Sequence, residues 1–272
     1  MVFVATGFAR IAQSQGGINI FAFELKTGNR LWYFSSKYSD SVNDIPGAIT
    51  PFDTTGDGFV DSIFVGDMNG RMWQLNAVDG SNPHGFDNTA GEEIPLWNAG
   101  VGKPISVSPG VVKVNPVIVI FGTGGADWAD PNGTYHLYAI DATNKNGTPT
   151  YESGGGTNYW GSPLALPAGE KVWSTPTISG TQIYVSTSIG TLESTNPKDD
   201  LAAGAGKVMA IDLTDGTVQW TIATGKARGS LFVDRGHVYL TTIDNQIVQI
   251  GDGNFAPIDT NKVILKSWRQ LD

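Results

Sequence analysis

One short pattern recurs along this chain and restricts its fold more than any other feature. It reads Ala-x-[Asp/Glu]-x-x-[Thr/Asp]-Gly-x-x-x-Trp and has two full copies, Ala22–Trp32 and Ala210–Trp220. In each copy an apolar strand runs into an acidic residue and a Thr-Gly or Asp-Gly pair, and a second strand carries the Trp. The Gly predicts a hairpin turn with positive φ, and the Trp predicts an aromatic wedge between neighbouring sheets. Weaker copies lie at Arg71–Asn76, Tyr135–Asp141 and Gln246–Ile250.

Each copy follows a strand of similar type, at Val2–Thr6, Ser62–Gly66, Val117–Gly122, Gln182–Thr187 and His237–Thr242. First strands are predicted near Gly47–Phe52, Val107–Val114, Val172–Ser179 and Gly229–Val233. Final strands are predicted near Pro95–Asn98, Pro149–Ser153, Thr217–Ile222 and Val263–Trp268. Four strands per unit make four complete units and most of another at the start, which is the arithmetic of a radial β-propeller. A large β-sandwich suits tandem units with a repeating Trp turn poorly. Helix-period apolar stripes are essentially missing, so the expected class is all-β: four-stranded antiparallel blades forming one partial propeller domain over residues 1–272. With 35 Gly in 272 residues, about twice the usual share, turns are frequent. Inserts at Ala77–Glu93, Gly124–Gly133, Ala142–Glu170 and Ser188–Gly206 read as surface loops.

The charge balance narrows function. Lys+Arg number 17 against 26 Asp+Glu, a net charge of −9, with no basic cluster; a nucleic-acid partner is not expected. The lack of cysteine excludes disulfides, thiolate zinc sites and a Cys nucleophile. Met1–Gly7 has neither the basic leader nor the apolar core of a signal peptide and reads as strand. No run nears the ~18 apolar residues of a membrane span. The expectation is an exported chain whose targeting signal lies upstream.

The sharpest chemical motif is Asp53-Thr54-Thr55-Gly56-Asp57-Gly58-Phe59-Val60-Asp61. Its spacing matches the first nine positions of a calcium loop, with oxygen donors at one, three and five, Gly at six, a carbonyl at seven and an acid at nine. Asp53, Asp57 and Asp61 would supply carboxylates, Thr55 a hydroxyl and Phe59 its carbonyl, around a Ca2+ ion. Position twelve is Phe64 rather than Glu, so the expected setting is a hairpin between a strand ending at Phe52 and one starting at Ser62, not a helical EF-hand. An ordinary Asp-Gly turn is the plainer alternative.

Asp127, Asp130 and Asn132 form a looser polar group, read as a solvated turn or a second ion site, and Asp199-Asp200 reads as a charged loop. Phe121-Gly122-Thr123-Gly124 lacks the Lys-Ser/Thr and helix of a phosphate loop. His84, His136 and His237 have no ligand spacing, and no Ser/His/Asp set or Gly-x-Ser-x-Gly can be nominated. No catalytic residue is therefore expected. Asn132-Gly133-Thr134 and Asn146-Gly147-Thr148 match the glycosylation sequon, a common chance pattern.

Val2–Phe8, the hairpin ending at Trp32, the loop Asp53–Asp61, the run Asp61–Trp73, Phe121–Gly124 and Leu265–Leu271 come in an order that resembles the C-terminal propeller of the PilY-type proteins. These are adhesin and assembly factors of type IV pilus tips. The likeness spans nearly the whole chain and is most specific over 53–73. It implies a quinoprotein-like propeller, a calcium site at Asp53, Thr55, Asp57, Phe59 and Asp61, and a role in pilus extension and retraction, surface attachment and twitching motility. Thr55 departs from the commoner Asp/Asn. Expected partners are minor pilins at the pilus tip, a host or abiotic surface, and an upstream part of the precursor or another chain completing the ring. The expected location is the cell surface, at the pilus tip or outer membrane. Two other classes share these features: a generic calcium-loop surface-binding propeller, and a fragment of a pyrroloquinoline-quinone dehydrogenase.

Overall fold

The computed structural model describes residues 1–6, 18–36, 44–88, 91–125, 129–143, 156–189, 206–223, 231–234, 236–241 and 247–252. They form five larger antiparallel sheets in chain order and one separate two-stranded hairpin. The first holds β1 (Val2–Ala5), β2 (Ile18–Phe23) and β3 (Arg30–Ser36). The second holds β4 (Thr50–Phe52), β5 (Ser62–Gly66), β6 (Arg71–Asn76) and, after a small hairpin of β7 (Phe86–Asp87) and β8 (Glu92–Glu93), β9 (Trp97–Asn98). β10 (Gly110–Lys113), β11 (Val117–Gly122), β12 (His136–Asp141), β13 (Thr157–Asn158) and β14 (Leu164–Ala165) make the third.

The fourth comprises β15 (Glu170–Val172), β16 (Thr177–Ser179), β17 (Gln182–Ile189), β18 (Lys207–Asp212) and β19 (Val218–Ala223). The fifth comprises β20 (Leu231–Asp234), β21 (His237–Thr241) and β22 (Ile247–Asp252). The class is all-β, with antiparallel sheets packed face to face as the blades of a propeller. The sequence places β5 and β11 to the residue. It merges β15 and β16 into one strand, whereas the chain breaks between them and both segments pair with β17. The outer pairing of the third sheet falls on β13 and β14; the segments expected at 149–153 and 263–268 lie outside the described residues.

Four apolar seams join the five sheets. Ile18, Ile20 and Trp32 meet Ile63, Val65 and Trp73 between the first and second. Phe64 and Met72 meet Val119 and Phe121 between the second and third. Ile118 and Ile120 meet Ile183 and Val185 between the third and fourth, and Tyr184 and Trp220 meet Leu231 and Leu240 between the fourth and fifth. Successive side chains of a strand point to opposite faces, so β5, β11 and β17 feed two seams each. That explains their unbroken burial, which an alternating pattern would not give. Along the inner edge β4 touches β10, β10 touches β16 and β16 touches β20. The Thr50 hydroxyl donates to the Pro109 carbonyl (2.9 Å) and the Thr177 hydroxyl to that of Leu231 (2.7 Å).

The repeated turn locks two of these seams, the first and the third. Gly28, Gly80 and Gly216 each have φ near +75°, and each donates its N–H to the carbonyl four residues back, that of Glu24, Asn76 and Asp212. Trp32 lies on Gly80 and donates its indole N–H to the Ala77 carbonyl (3.0 Å); Trp160 lies on Gly216 and donates to the Leu213 carbonyl (3.0 Å). A Cβ on Gly80 would stand 2.5 Å from the Trp32 ring, whereas one on Gly28 would meet nothing within 4 Å. Gly28→Ala therefore costs only the left-handed backbone strain, about 1–2 kcal/mol. Gly80→Ala adds displacement of a core indole and should cost at least about 2 kcal/mol more. Urea unfolding of the two variants checks this; equal losses would show that Trp32 does not depend on the bare glycine.

Candidate metal centre

Asp53–Asp61 is the hairpin between β4 and β5, as its flanking residues foretell. Phe52 pairs with Ser62, and the Asp61 N–H donates to the Phe52 carbonyl (3.2 Å). Gly56 and Gly58 take φ of 82° and 90°, which turns the chain back on itself at the positions where side chains are least tolerated.

Two carboxylates organise this turn from within. Asp53 accepts the backbone N–H of Gly56, of Gly58 (2.7 Å) and of Asp57 (3.3 Å), with the Thr55 hydroxyl at 3.2 Å. Asp61 accepts the N–H and hydroxyl of Thr54 (3.1 and 2.6 Å) and the N–H of Thr55 (2.9 Å). Asp57 accepts the Phe59 N–H at 2.9 Å. Desolvation pushes the Asp53 carboxyl up, but the amides of Gly58 and Gly56, the Thr55 hydroxyl and the Asp57 amide outweigh it, and its pKa falls below the ordinary 3.8. At Asp61 desolvation is likewise outweighed, by the hydroxyl and amide of Thr54 and the amide of Thr55, again to below 3.8. Both carboxylates are ionised at neutral pH.

The structure therefore brings the five sequence-nominated residues into one short loop but does not converge their oxygens. Among the described residues no group of three or more His, Cys, Asp or Glu side chains could hold a metal ion as drawn. The donor set suits calcium, a hard cation that takes six to eight oxygens. A carboxylate offers about four acceptor positions, and in Asp53 and Asp61 they are occupied by amides and hydroxyls. The hydroxyls of Thr54 and Thr55 are single-bond rotors. Turning them away frees one position on each carboxylate without disturbing an amide bond.

One neighbour was not visible in the sequence. The Lys113 ammonium, on β10 of the next sheet, donates to the Thr55 carbonyl. Only the adjacency of β4 and β10 brings these residues, 58 apart in the chain, together. Beside the loop a polar cleft of about 320 Å³ is lined by Thr54, Asp61, Ser62, Gln74, Asn76 and Thr143 among others.

The run after the loop contains a second carboxylate with a different role. Asp67 is fully buried and accepts the N–H groups of Asn69 (2.8 Å) and Arg71 (3.0 Å) and the Trp73 indole N–H (3.0 Å), with the Arg71 guanidinium 3.7 Å away. Burial raises its pKa against the pull of Arg71 and these donors. It ties the β5–β6 turn, and sequence spacing gave no sign of it.

Of the looser polar group, Asp130 accepts the Asn132 N–H (2.8 Å), while Asp127 lies outside the described residues, as do Asp199 and Asp200. Ammonium groups stand nearby: Lys103 over the Tyr135 ring at 4.9 Å and Lys171 on the Ala129 carbonyl at 2.8 Å. Burial and then the Asp130 charge raise the Tyr135 pKa to about 12. His84, in the turn after β6, bonds Gln74 of that strand, and His237 bonds Gln249 across the fifth sheet. No helix of the described residues is long and apolar enough to cross a membrane.

A family model described as outer membrane protein assembly factor BamB matches residues 150–256, less than half of the chain. No curated protein matches. Among solved structures, the chain is similar to the Pseudomonas aeruginosa PilY1 C-terminal domain at 14% identity and TM-score 0.55, covering 86% of this chain and 66% of that one. It is also similar to Saccharomyces cerevisiae Sqt1 (13%, TM-score 0.52, 92% and 55%) and to BamB from Moraxella catarrhalis (14%, TM-score 0.48, 93% and 62%). The chain spans less than two thirds of each of these structures. At such identities the likeness shows the fold, a β-propeller.

The lowered pKa values of Asp53 and Asp61 set a pH dependence. The amide bonds they accept are fully present above the unfolded carboxyl value, near 3.8, and are lost as pH falls through the lower folded values. NMR titration should leave the Gly58 and Thr54 amides undisturbed from neutral pH down to about pH 4 and shift them together below it. A transition centred above the ordinary Asp value would contradict the assignment.

Proposed function

We propose that this chain is a non-catalytic, calcium-binding propeller of a type IV pilus-associated adhesin and biogenesis factor, working at the cell surface. The observation that carries the reading is the Asp53–Asp61 loop, a calcium-type donor sequence at the hairpin of a propeller blade. Asp53, Thr55, Asp57, Asp61 and the Phe59 carbonyl would hold the ion, which would neutralise three carboxylates crowded into nine residues. The fold likeness to the PilY1 C-terminal domain supports the pilus assignment, and the match of residues 150–256 to an outer membrane assembly factor supports an envelope setting. Minor pilins and a surface contacted during attachment are the proposed partners. Deletion of the gene should abolish or reduce surface pili; unaltered piliation and twitching would leave only a generic calcium-loop propeller.

Calorimetric titration should show one calcium ion bound with Kd of about 10⁻⁶–10⁻⁴ M, because Thr55 replaces an acid and no bidentate Glu follows. Asp57→Ala should lose at least tenfold in affinity while far-UV circular dichroism stays unchanged. Equal uptake by the variant would remove the site from this loop.

The non-catalytic reading rests on the scatter of nucleophiles and bases, since a shared fold does not carry chemistry with it. Incubation with calcium, pyrroloquinoline quinone, an alcohol or sugar and an artificial electron acceptor should give no turnover. Dye reduction above the protein-free rate would establish an enzyme instead.

A further inference from the structure

The first sheet differs from the three that follow it in what covers it. The second, third and fourth sheets bury both faces in seams, whereas the first buries only the face that carries Ile18, Ile20 and Ala22. On its other face Val2 and Val4 are 39% and 43% exposed, Leu31 is exposed, and Phe21 stacks on Phe23 and Tyr33 at 6.2 and 6.4 Å. Beside β1, where β4 stands beside β5 and β20 beside β21, runs a largely apolar groove of about 620 Å³ between Val2–Ala5 and residues 45–51.

The repeated turn identifies what fits there. Gly80 and Gly216 each carry an indole from the preceding sheet, and the carbonyls of Ala77 and Leu213 receive its N–H. Gly28 has the same φ and the same turn hydrogen bond, but the space above it is open. Leu25, which stands in the place of Ala77 and Leu213, is 76% exposed, against 2% and 3% for those two. The socket is built and bare among the described residues.

We propose that this face docks one further propeller sheet of the same repeat, from polypeptide outside residues 1–272. That sheet seats an outer-strand tryptophan on Gly28, gives its indole N–H to the Leu25 carbonyl, and is followed by an apolar strand that pairs with β1. The covered sockets set the rule: the sheet that comes before in the chain fills each one. A second copy of this chain suits the socket poorly, because Trp32 and Trp160 are seated in its own turns and Trp220 is buried in its own fourth seam. The PilY1 domain, similar in fold, extends by a third of its length beyond the part this chain covers. The proposal is independent of the calcium reading.

Residues 170–236, placed a second time ahead of Val2, supply a sheet bearing Trp220 and the strand Leu231–Asp234, which leads into β1 as it leads into β21. The extended chain should unfold about 5 °C or more above the unextended one and bind less of an apolar dye. Trp220→Ala in the added copy, or Gly28→Ala, should each cancel the gain. In a second measurement, a synthetic peptide of residues 207–223 should shift the Leu25 and Gly28 amide resonances, and its Trp220→Ala form should not. A gain insensitive to both substitutions, or resonances unmoved by either peptide, would overturn the proposal. So would a dimer of the unextended chain that Gly28→Ala dissociates, which makes a second copy the occupant. Non-additive losses of stability for Trp268→Ala and Gly28→Ala in the unextended chain would equally overturn it, because the chain's own last tryptophan would then fill the socket.

Discussion

An indole laid on a bare glycine fixes how the first sheet sits on the second and the third on the fourth. Apolar burial drives the sheets together but has no direction, so two flat, branched faces could slide against each other at little cost. The Trp32 N–H on the Ala77 carbonyl and the Trp160 N–H on the Leu213 carbonyl remove that freedom, because a hydrogen bond is demanding in distance and angle. The glycine is needed twice over. It takes the positive φ of the turn, and it leaves room for a ring that a methyl group would strike at 2.5 Å in the case of Gly80. A bulge aims the strand that presents Trp32, the register shifting after Ala22, and the same shift after Ala210 precedes Trp220 in the fourth sheet.

With the sheets packed, the inner strands are brought edge to edge, and the site inherits its surroundings from them. The β4–β5 hairpin projects from a strand pair whose partner residues, Phe52 and Ser62, are set by the sheet. The adjacent β10 ends in Lys113, so its ammonium arrives at the Thr55 carbonyl. A loop with three carboxylates thus has one fixed positive charge beside it, exposed to solvent and therefore screened by salt. It relieves part of the repulsion within the loop and opposes the approach of a cation from its side.

Much of this was legible in the residues, and the gaps have physical causes. β5 and β11 were read to the residue because strands buried on both faces write themselves as continuous β-branched and aromatic runs. The loop was placed in the right hairpin because its flanks are strands and its glycines sit where the chain must reverse. Trp160 escaped notice because it falls inside the insert Ala142–Glu170, which reads as a surface loop, and no Asp-Gly turn stands at fixed spacing before it; it seats on Gly216 as Trp32 does on Gly80. The Gly80 turn was missed because Trp97 pairs opposite Met72, two places from the position that Trp32 and Trp220 hold opposite Ala22 and Ala210. Asp67 carried no sign of its role in local spacing. Its burial follows only from the three N–H groups gathered on it by the fold. Lys113 at the loop is a matter of topology, and no local pattern encodes it.

Under the proposed calcium reading, one carboxylate in this loop would serve two purposes in sequence. The amides that Asp53 and Asp61 accept close the turn with no ion, so the ordering of the backbone is accomplished by folding. What a cation still needs is the release of rotatable hydroxyls and the approach of Asp57, whose present bond is a local one to the Phe59 amide. An arrangement of that kind separates stability from affinity: amide bonds support the hairpin, while hydroxyls and one exposed carboxylate stay available for exchange. The same separation appears at Asp67, in the opposite sense. There every partner is buried and the acid is committed to structure. Two acids six residues apart flank one strand, Asp61 at the mouth and Asp67 in the interior: exposure leaves the first within reach of solvent and commits the second to structure.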